Sequence, residues 1–182
     1  MSDASLAARY ARAIASYRFG DPRNALAQVD GLVQSQPGNA YFHELKGQAL
    51  LEAGKPAEAV APLRRATQLA PNPSLIRIML AQALIATNSQ SHADEAVGLL
   101  KASMVQEAET PELYNQLALA YGRKGNLAEA DLASAQAATM RGDIGTARTI
   151  AARAKGRFPV GSPGWVKADD ITSLKPTGPI RR

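Results

Sequence analysis

Small residues return at a fixed interval along this chain, and that period restricts the folds open to it more than any other feature. From Ala40 to Pro73 the sequence reads AYFHELKGQALLEAGKPAEAVAPLRRATQLAPNP, marked by Gly47, Gly54, Ala59 and Ala66. Two antiparallel helices approach closely only where side chains are small, which is the use of Gly47 and Ala59. Gly54 ends the first helix, where a left-handed backbone is often needed. Lys55-Pro56 opens the second helix, because a first turn has no use for the N–H that proline lacks. Pro71 ends it, and Leu50 and Leu63 fill the space between the pair.

The same frame recurs about every 34 residues. Residues 6–39 place Ala13, Gly20, Ala25, Val29 and Pro37 at matching offsets, with Gly20-Asp21-Pro22 as the turn. Residues 74–110 place Ala81, Ala83 and Leu84, then a lengthened turn in NSQSHADEAV, then Ala96 and Leu100. From Pro111 the markers are Tyr114, Leu117, Ala118, Ala120, Tyr121, Gly125, Glu129 and Ala130. The helix from about Leu127 to Met140 then serves two pairs at once. Counted back from Gly142, Ala135, Ala137 and Ala138 hold first-helix positions, while Ala147, Ala154 and Pro159 hold second-helix positions. A single capping helix should close the array, its outer face carrying Arg148, Arg153, Lys155 and Arg157 into solvent.

Composition agrees with packed helices: alanine is abundant, aromatic residues make up 5% and β-branched runs are scarce. The absence of cysteine excludes disulfides, thiolate zinc sites and thiol catalysis. In HELKG, His43 and Glu44 imitate the first two residues of an H-E-x-x-H zinc helix, but the fifth position is Gly47. Without a second histidine one turn on, no metal is gripped. The other histidine, His92, is expected in a loop, so no metal site is expected. No histidine stands beside a plausible nucleophile, and Glu58 and Glu129 sit near second-helix N-termini, where a carboxylate suits the helix dipole. No catalytic residue and no cofactor are expected.

The net charge of +5 is uneven. Residues 1–140 carry 12 Lys and Arg against 13 Asp and Glu, whereas residues 141–182 carry 9 against 3. A solvated basic surface accounts for that end, and nucleic acid is not an expected partner. The beginning, MSDASLAARYARAIAS, lacks the order of a signal peptide, and no apolar run approaches the roughly 18 residues of a membrane span. After Pro159 the sequence turns to VGSPGWVKADDITSLKPTGPIRR, rich in Gly and Pro. It is expected as an irregular tail in which Trp165 anchors the segment against the last helices, Asp169-Asp170-Ile171 adds a turn, and Lys175 onward is disordered.

The spacing of these markers resembles the tetratricopeptide repeat. The resemblance implies an all-α fold, a right-handed superhelix or α-solenoid of about four helix-turn-helix units, with the capping helix and the tail following. On that basis residues 4–158 form the solenoid domain and residues 159–182 a basic Gly/Pro-rich tail. The family's concave face is lined by first helices and binds peptides or partner proteins. Its groove positions fall here on Tyr10, Ile14, Tyr17, Tyr41, Glu44, Gln48, Leu51, Ile78, Gln82, Ile85, Asn115 and Leu119. Leu75 and Glu112 share this frame, and any one aromatic or aliphatic member could equally bury against its neighbours. Some cochaperones of the family hold a C-terminal carboxylate with Lys, Arg and Asn at set positions. Tyr10, Ile14, Leu45, Leu75 and Met79 stand there instead, so that activity does not carry over.

A narrower likeness rests on YFHELKGQALLEAGKPAEA, APNPSLIRIMLAQALI, AYGRKGNLAEADLASAQAA and AKGRFPVGSPGWVKADDI. These runs look like the C-terminal repeat region of BepA-like zinc metalloproteases of the bacterial envelope. The likeness implies a recruitment domain that acts in the periplasm in envelope protein quality control, its zinc confined to a protease domain that this sequence does not contain. The alternative is a free-standing cytoplasmic adaptor. Either way the expected partner is a protein or peptide, and oligomeric state is not legible.

Overall fold

The computed structural model describes residues 3–20, 22–70, 73–106 and 108–175. Ten helices and no strand occur among them: α1 (Asp3–Phe19), α2 (Pro22–Ser35), α3 (Ala40–Glu52), α4 (Pro56–Leu69), α5 (Ser74–Ala86), α6 (Gln90–Gln106), α7 (Pro111–Lys124), α8 (Leu127–Met140), α9 (Ile144–Lys155) and α10 (Pro163–Thr172). They fall into two compact units, Met1–Thr87 and Asn88–Arg182.

In the first unit α2 packs on α1 and α3, and α4 packs on α3 and α5. Ala13, Val29, Leu32, Phe42 and Leu45 form one buried cluster, with Leu6, Tyr10, Ile14 and Val33 packed against it. The crossing of α3 and α4 shows why Gly47 is glycine. A Cβ built there would lie 2.3 Å from Leu63 Cγ, and Leu63 is itself fully buried. Leu63 therefore occupies the space that any larger residue at 47 would need. Pro62 lies inside α4, where its missing N–H leaves the ladder one bond short, yet the helix continues because Pro62 is buried with Leu63 on the packed face.

In the second unit α7 packs on α6 and α8, α9 on α8, and α10 on α9 and α8. Ala135, Ala138, Ala147, Ala151, Ala154 and Ala168 are all fully buried in one cluster with Leu132 and Ile171. Three turns in the chain are copies of one another. Gly54, Gly125 and Gly142 have φ of 72°, 82° and 76°. Each donates to the carbonyl three residues back, and the following N–H donates to the carbonyl five residues back: Lys55 to Leu50, Asn126 to Tyr121 and Asp143 to Ala138, at 2.8, 2.9 and 3.0 Å. Such turns satisfy the last carbonyls of a helix while reversing the chain. The second and third of them lie on either side of α8, so one helix does serve two pairs.

Three features differ from the sequence-based expectation. Residues 87–89 alone separate α5 from α6, so the extra residues of NSQSHADEAV extend α6, and His92 is helical. Asn88, at φ 58°, makes the short turn feasible, since asparagine tolerates the left-handed region. The segment after Pro159 is not irregular throughout but holds α10. Ser162 accepts a hydrogen bond from Trp165 N at 3.3 Å, Pro163 opens the helix, and Ala168 and Ile171 are buried. Residues 159–175 thus belong to the same compact unit as α9.

The third difference is at α9, whose charged side chains are engaged by neighbouring groups although the three arginines stay exposed. Arg153 Nη2 and Nε donate to Asp131 at 2.5 and 2.9 Å, and Arg157 binds the same carboxylate. Lys155 pairs with Asp169 of α10 at 2.6 Å and stands 4.6 Å from the centre of the Trp165 ring. Arg148 donates to Thr172 O at 3.0 Å. Arg148 and Lys155 thus reach α10, while Arg153 and Arg157 reach back to α8. Asp21, Pro71 and Asn72, expected as turn residues, lie outside the described residues, as does the expected disordered stretch beyond Lys175.

Candidate functional site

Helix periodicity places Tyr10, Ile14 and Tyr17 on one face of α1, and Tyr41, Glu44 and Gln48 on one face of α3. These two faces border a single concavity of about 160 Å³ in the first unit, lined by Tyr10, Ile14, Tyr17, Tyr41, Glu44, Leu45 and Gln48. Leu45 stands at one of the positions where some cochaperones of the family place a carboxylate-binding side chain. It is buried, 6% exposed, and ties the concavity to the core beneath. Tyr10 is fixed by its contact with Phe42, the ring centres 5.6 Å apart and tilted by 36°.

The polar groups of this concavity are poorly matched to one another. Tyr17 Oη is buried, with no hydrogen-bond partner among the described residues. Burial pushes the Glu44 carboxyl above its usual range. Burial also raises Tyr10, and the nearby Glu44 charge and then Tyr41 raise it further, since a second negative charge is unwelcome there. Gln48 Nε2 donates to Glu52 at 3.3 Å. Lys46, two positions beyond Glu44, pairs instead with Asp30 at 2.6 Å.

The other groove positions stand apart from this concavity. In the first unit Leu51 and Ile78 are partly buried, Gln82 is exposed and Ile85 is only 7% exposed. Ile85 therefore has little surface to offer a partner; it lies with Ile76, Leu80, Ala81 and Leu84 among the buried residues of α5. In the second unit Asn115 and Leu119 are exposed on α7. Tyr41 also borders a neighbouring concavity of about 520 Å³ with Gln36, Asn39 and Leu69. Asn39 caps α3 by accepting from Tyr41 N at 3.1 Å, which sets the ring at the rim.

His43 has an ordinary explanation. Its Nε2 lies 2.9 Å from Pro37 O, where an N–H at that nitrogen donates and ties the first turn of α3 to the loop before it. Among the described residues no three His, Asp or Glu side chains converge as a metal site. No described helix is long and apolar enough to cross a membrane.

The tetratricopeptide repeat family matches residues 10–73 and again residues 111–144. Those stretches hold the pairs α1–α4 and α7–α8, and the turns at Gly54 and Gly125 lie inside them. The chain carries tetratricopeptide repeats. No curated protein matches it in sequence. Among solved structures it is similar to the MamA protein, with a TM-score of 0.73 at 16% identity over 94% of this chain and 90% of that one. It is also similar to MamA 41-end from Desulfovibrio magneticus RS-1, with a TM-score of 0.70 at 17% identity over 92% and 90%. TTC0263, a thermophilic tetratricopeptide protein of Thermus thermophilus, gives 0.56 at 16% over 93% and 100%. At these identities the likeness is one of fold, the all-α solenoid type.

The tetratricopeptide pair α7–α8, together with α10, borders another concavity, of about 340 Å³, which includes Glu109, Tyr114, Gln136, Met140 and Ile171. Lys167 and Asp170 line it too, and three of its polar groups are engaged with one another. Tyr114 Oη donates to Glu109 at 2.7 Å and accepts from Gln136 at 3.4 Å. Burial first, then the bond to Glu109, pushes the phenol up to about 12.

Proposed function

We propose that this chain is a non-catalytic recruitment module that receives a partner polypeptide on the α1–α3 face. The observation that carries the reading is the concavity there, with its three tyrosines, a carboxylate without a described partner, and apolar Ile14 and Leu45. Tetratricopeptide repeats bind protein partners, and such a face suits an extended or helical segment held by apolar anchors and a few amide hydrogen bonds. The basic side chains of α9 are held in ion pairs or by backbone carbonyls, which supports a structural role for them over a phosphate-binding one.

The finer proposal is that the module is the C-terminal recruitment domain of a periplasmic zinc metalloprotease active in envelope protein quality control. Its support is the likeness of the four sequence runs given above to BepA-like repeat regions, and zinc would belong to a separate protease domain. Reading the coding sequence upstream tests it. A signal peptide and an H-E-x-x-H helix there are expected; their absence refutes this proposal and leaves a cytoplasmic adaptor. The groove is tested on a candidate partner with Tyr41→Glu, because Tyr41 is 66% exposed and contributes little to the core. Capture should fall at least tenfold while helicity and Tm stay near the parent's. Unchanged capture would remove the α1–α3 face from consideration.

A further inference from the structure

We infer that the concavity between α1 and α3 receives a lysine side chain of the partner polypeptide. The inference rests on the recruitment reading and adds the chemistry of the residue recognised. Three tyrosines, Tyr10, Tyr17 and Tyr41, line the concavity with one carboxylate, Glu44, and neither lysine nor arginine is among its described lining residues. Glu44 has no ion-pair or hydrogen-bond partner among the described residues, although it is partly buried. A partly buried carboxylate without a described counter-ion is less well solvated than an exposed one, a disadvantage that an incoming cation reduces. Aromatic faces attract the same cation through their quadrupoles, most strongly where water is excluded.

The acceptors choose among cations. Gln48 gives its amide nitrogen to Glu52, which leaves its carbonyl oxygen able to accept. With the two oxygens of Glu44 it makes separate acceptors for the three rotatable donors of an ammonium group. A guanidinium holds its donors in one rigid plane and would spend its fork on the two Glu44 oxygens, whereas an ammonium can turn one donor to Glu44 and another to the Gln48 oxygen. The methylene stem of a lysine suits the apolar Ile14 and Leu45 of the same lining. An acidic side chain would meet Glu44 and be repelled.

The test uses the full chain, labelled with nitrogen-15, and four short acetylated and amidated peptides that differ only in a central lysine, arginine, norleucine or glutamate. The lysine peptide should shift the amides of Tyr10, Tyr17, Tyr41, Glu44 and Gln48, and bind about tenfold tighter than the norleucine peptide. Glu44→Gln should bring its affinity down to the norleucine level while far-ultraviolet helicity is retained. Equal binding of lysine and norleucine at these residues would overturn the lysine assignment and leave the groove standing. Tighter binding of the arginine peptide would overturn the choice of cation. Absence of any shift at these residues with the lysine peptide would also overturn the assignment, and the groove itself would then be judged by the Tyr41→Glu capture experiment.

Discussion

The two compact units are built from the same kind of helix pair, and both pair polar groups across helices, yet the concavity of each treats its tyrosines and carboxylates differently. In the first unit the α1–α3 concavity keeps Glu44 and Tyr17 without described partners and exposes Tyr41. In the second, Tyr114 is bonded to Glu109 and Gln136, Asp131 is held by Arg153 and Arg157, and Lys155 by Asp169. A repeat scaffold fixes where small residues go and leaves the remaining positions open to either use. Paired groups lock neighbouring helices together, whereas groups left unmatched at a concave surface are suited to a ligand. The contrast extends to apolar packing, where Leu63 is seated over Gly47 in the first unit and alanine packs on alanine between α8 and α9 in the second.

The strongest way to break this comparison is through Leu63. Leu63→Ala should cost about 2 to 5 kcal/mol, because a fully buried leucine leaves a cavity that the rigid α3–α4 crossing cannot fill. Gly47→Ala alone should cost about 1 to 3 kcal/mol, but in the Leu63→Ala background that penalty should vanish or reverse. Chemical unfolding followed by circular dichroism measures both; additive costs would mean that the two positions do not share one space. In the second unit Asp131→Ala should cost about 2 to 3 kcal/mol, since Asp131 is 8% exposed and serves two guanidinium groups. Trp165, the only tryptophan, lies in that unit, so its fluorescence should follow this loss and not the Leu63 one.

The smallest expected effect is the pH response, which should have opposite signs in the two units. Glu44 has its carboxyl raised above 4.5 by burial, so the folded state holds the proton more tightly than the unfolded one. Its stabilising contribution is complete below 4.5 and is lost as pH rises through the folded value, and Glu44→Gln should stabilise the first unit at neutral pH. Asp169 is lowered from 3.8 by Lys155, and Asp143 by its bonds to Thr146. Their contributions are present above 3.8 and lost as pH falls through the lower folded values. Hydrogen exchange across an acid titration should therefore show the second unit loosening while the first gains. Parallel loss in both would erase the distinction.

The helix pairs were legible because each is marked by several local signals that agree. A left-handed glycine, a proline or capping residue after it and alanines at crossing points all depend on near neighbours in the chain. The double use of α8 was legible for the same reason, since Gly142 repeats the turn at Gly125. Gathering Tyr10, Ile14, Tyr17, Tyr41, Glu44 and Gln48 around one space followed from that frame. Illegible features depend on distant partners. The burial of Ile85 on α5, the continuation of α4 through Pro62 and the capture of α9 cations by Asp131 and Asp169 are of this kind. So is α10, whose glycine- and proline-rich surroundings read as a tail. Gly164 is needed because a Cβ there would stand 2.5 Å from the Phe158 ring, and no spacing rule announces that contact.

By itself, then, the order of residues determined the helices, the turns between them and the faces on which small side chains lie, because these depend on backbone propensity and on neighbours three or four positions away. Only the tertiary structure decided which polar groups would meet. Glu44 was left in its concavity without a described counter-charge, while Asp131 and Asp169 found cations across helices. The physical reason is that hydrogen bonds and ion pairs act over a few ångströms between residues far apart in sequence, and chain order alone does not fix that proximity.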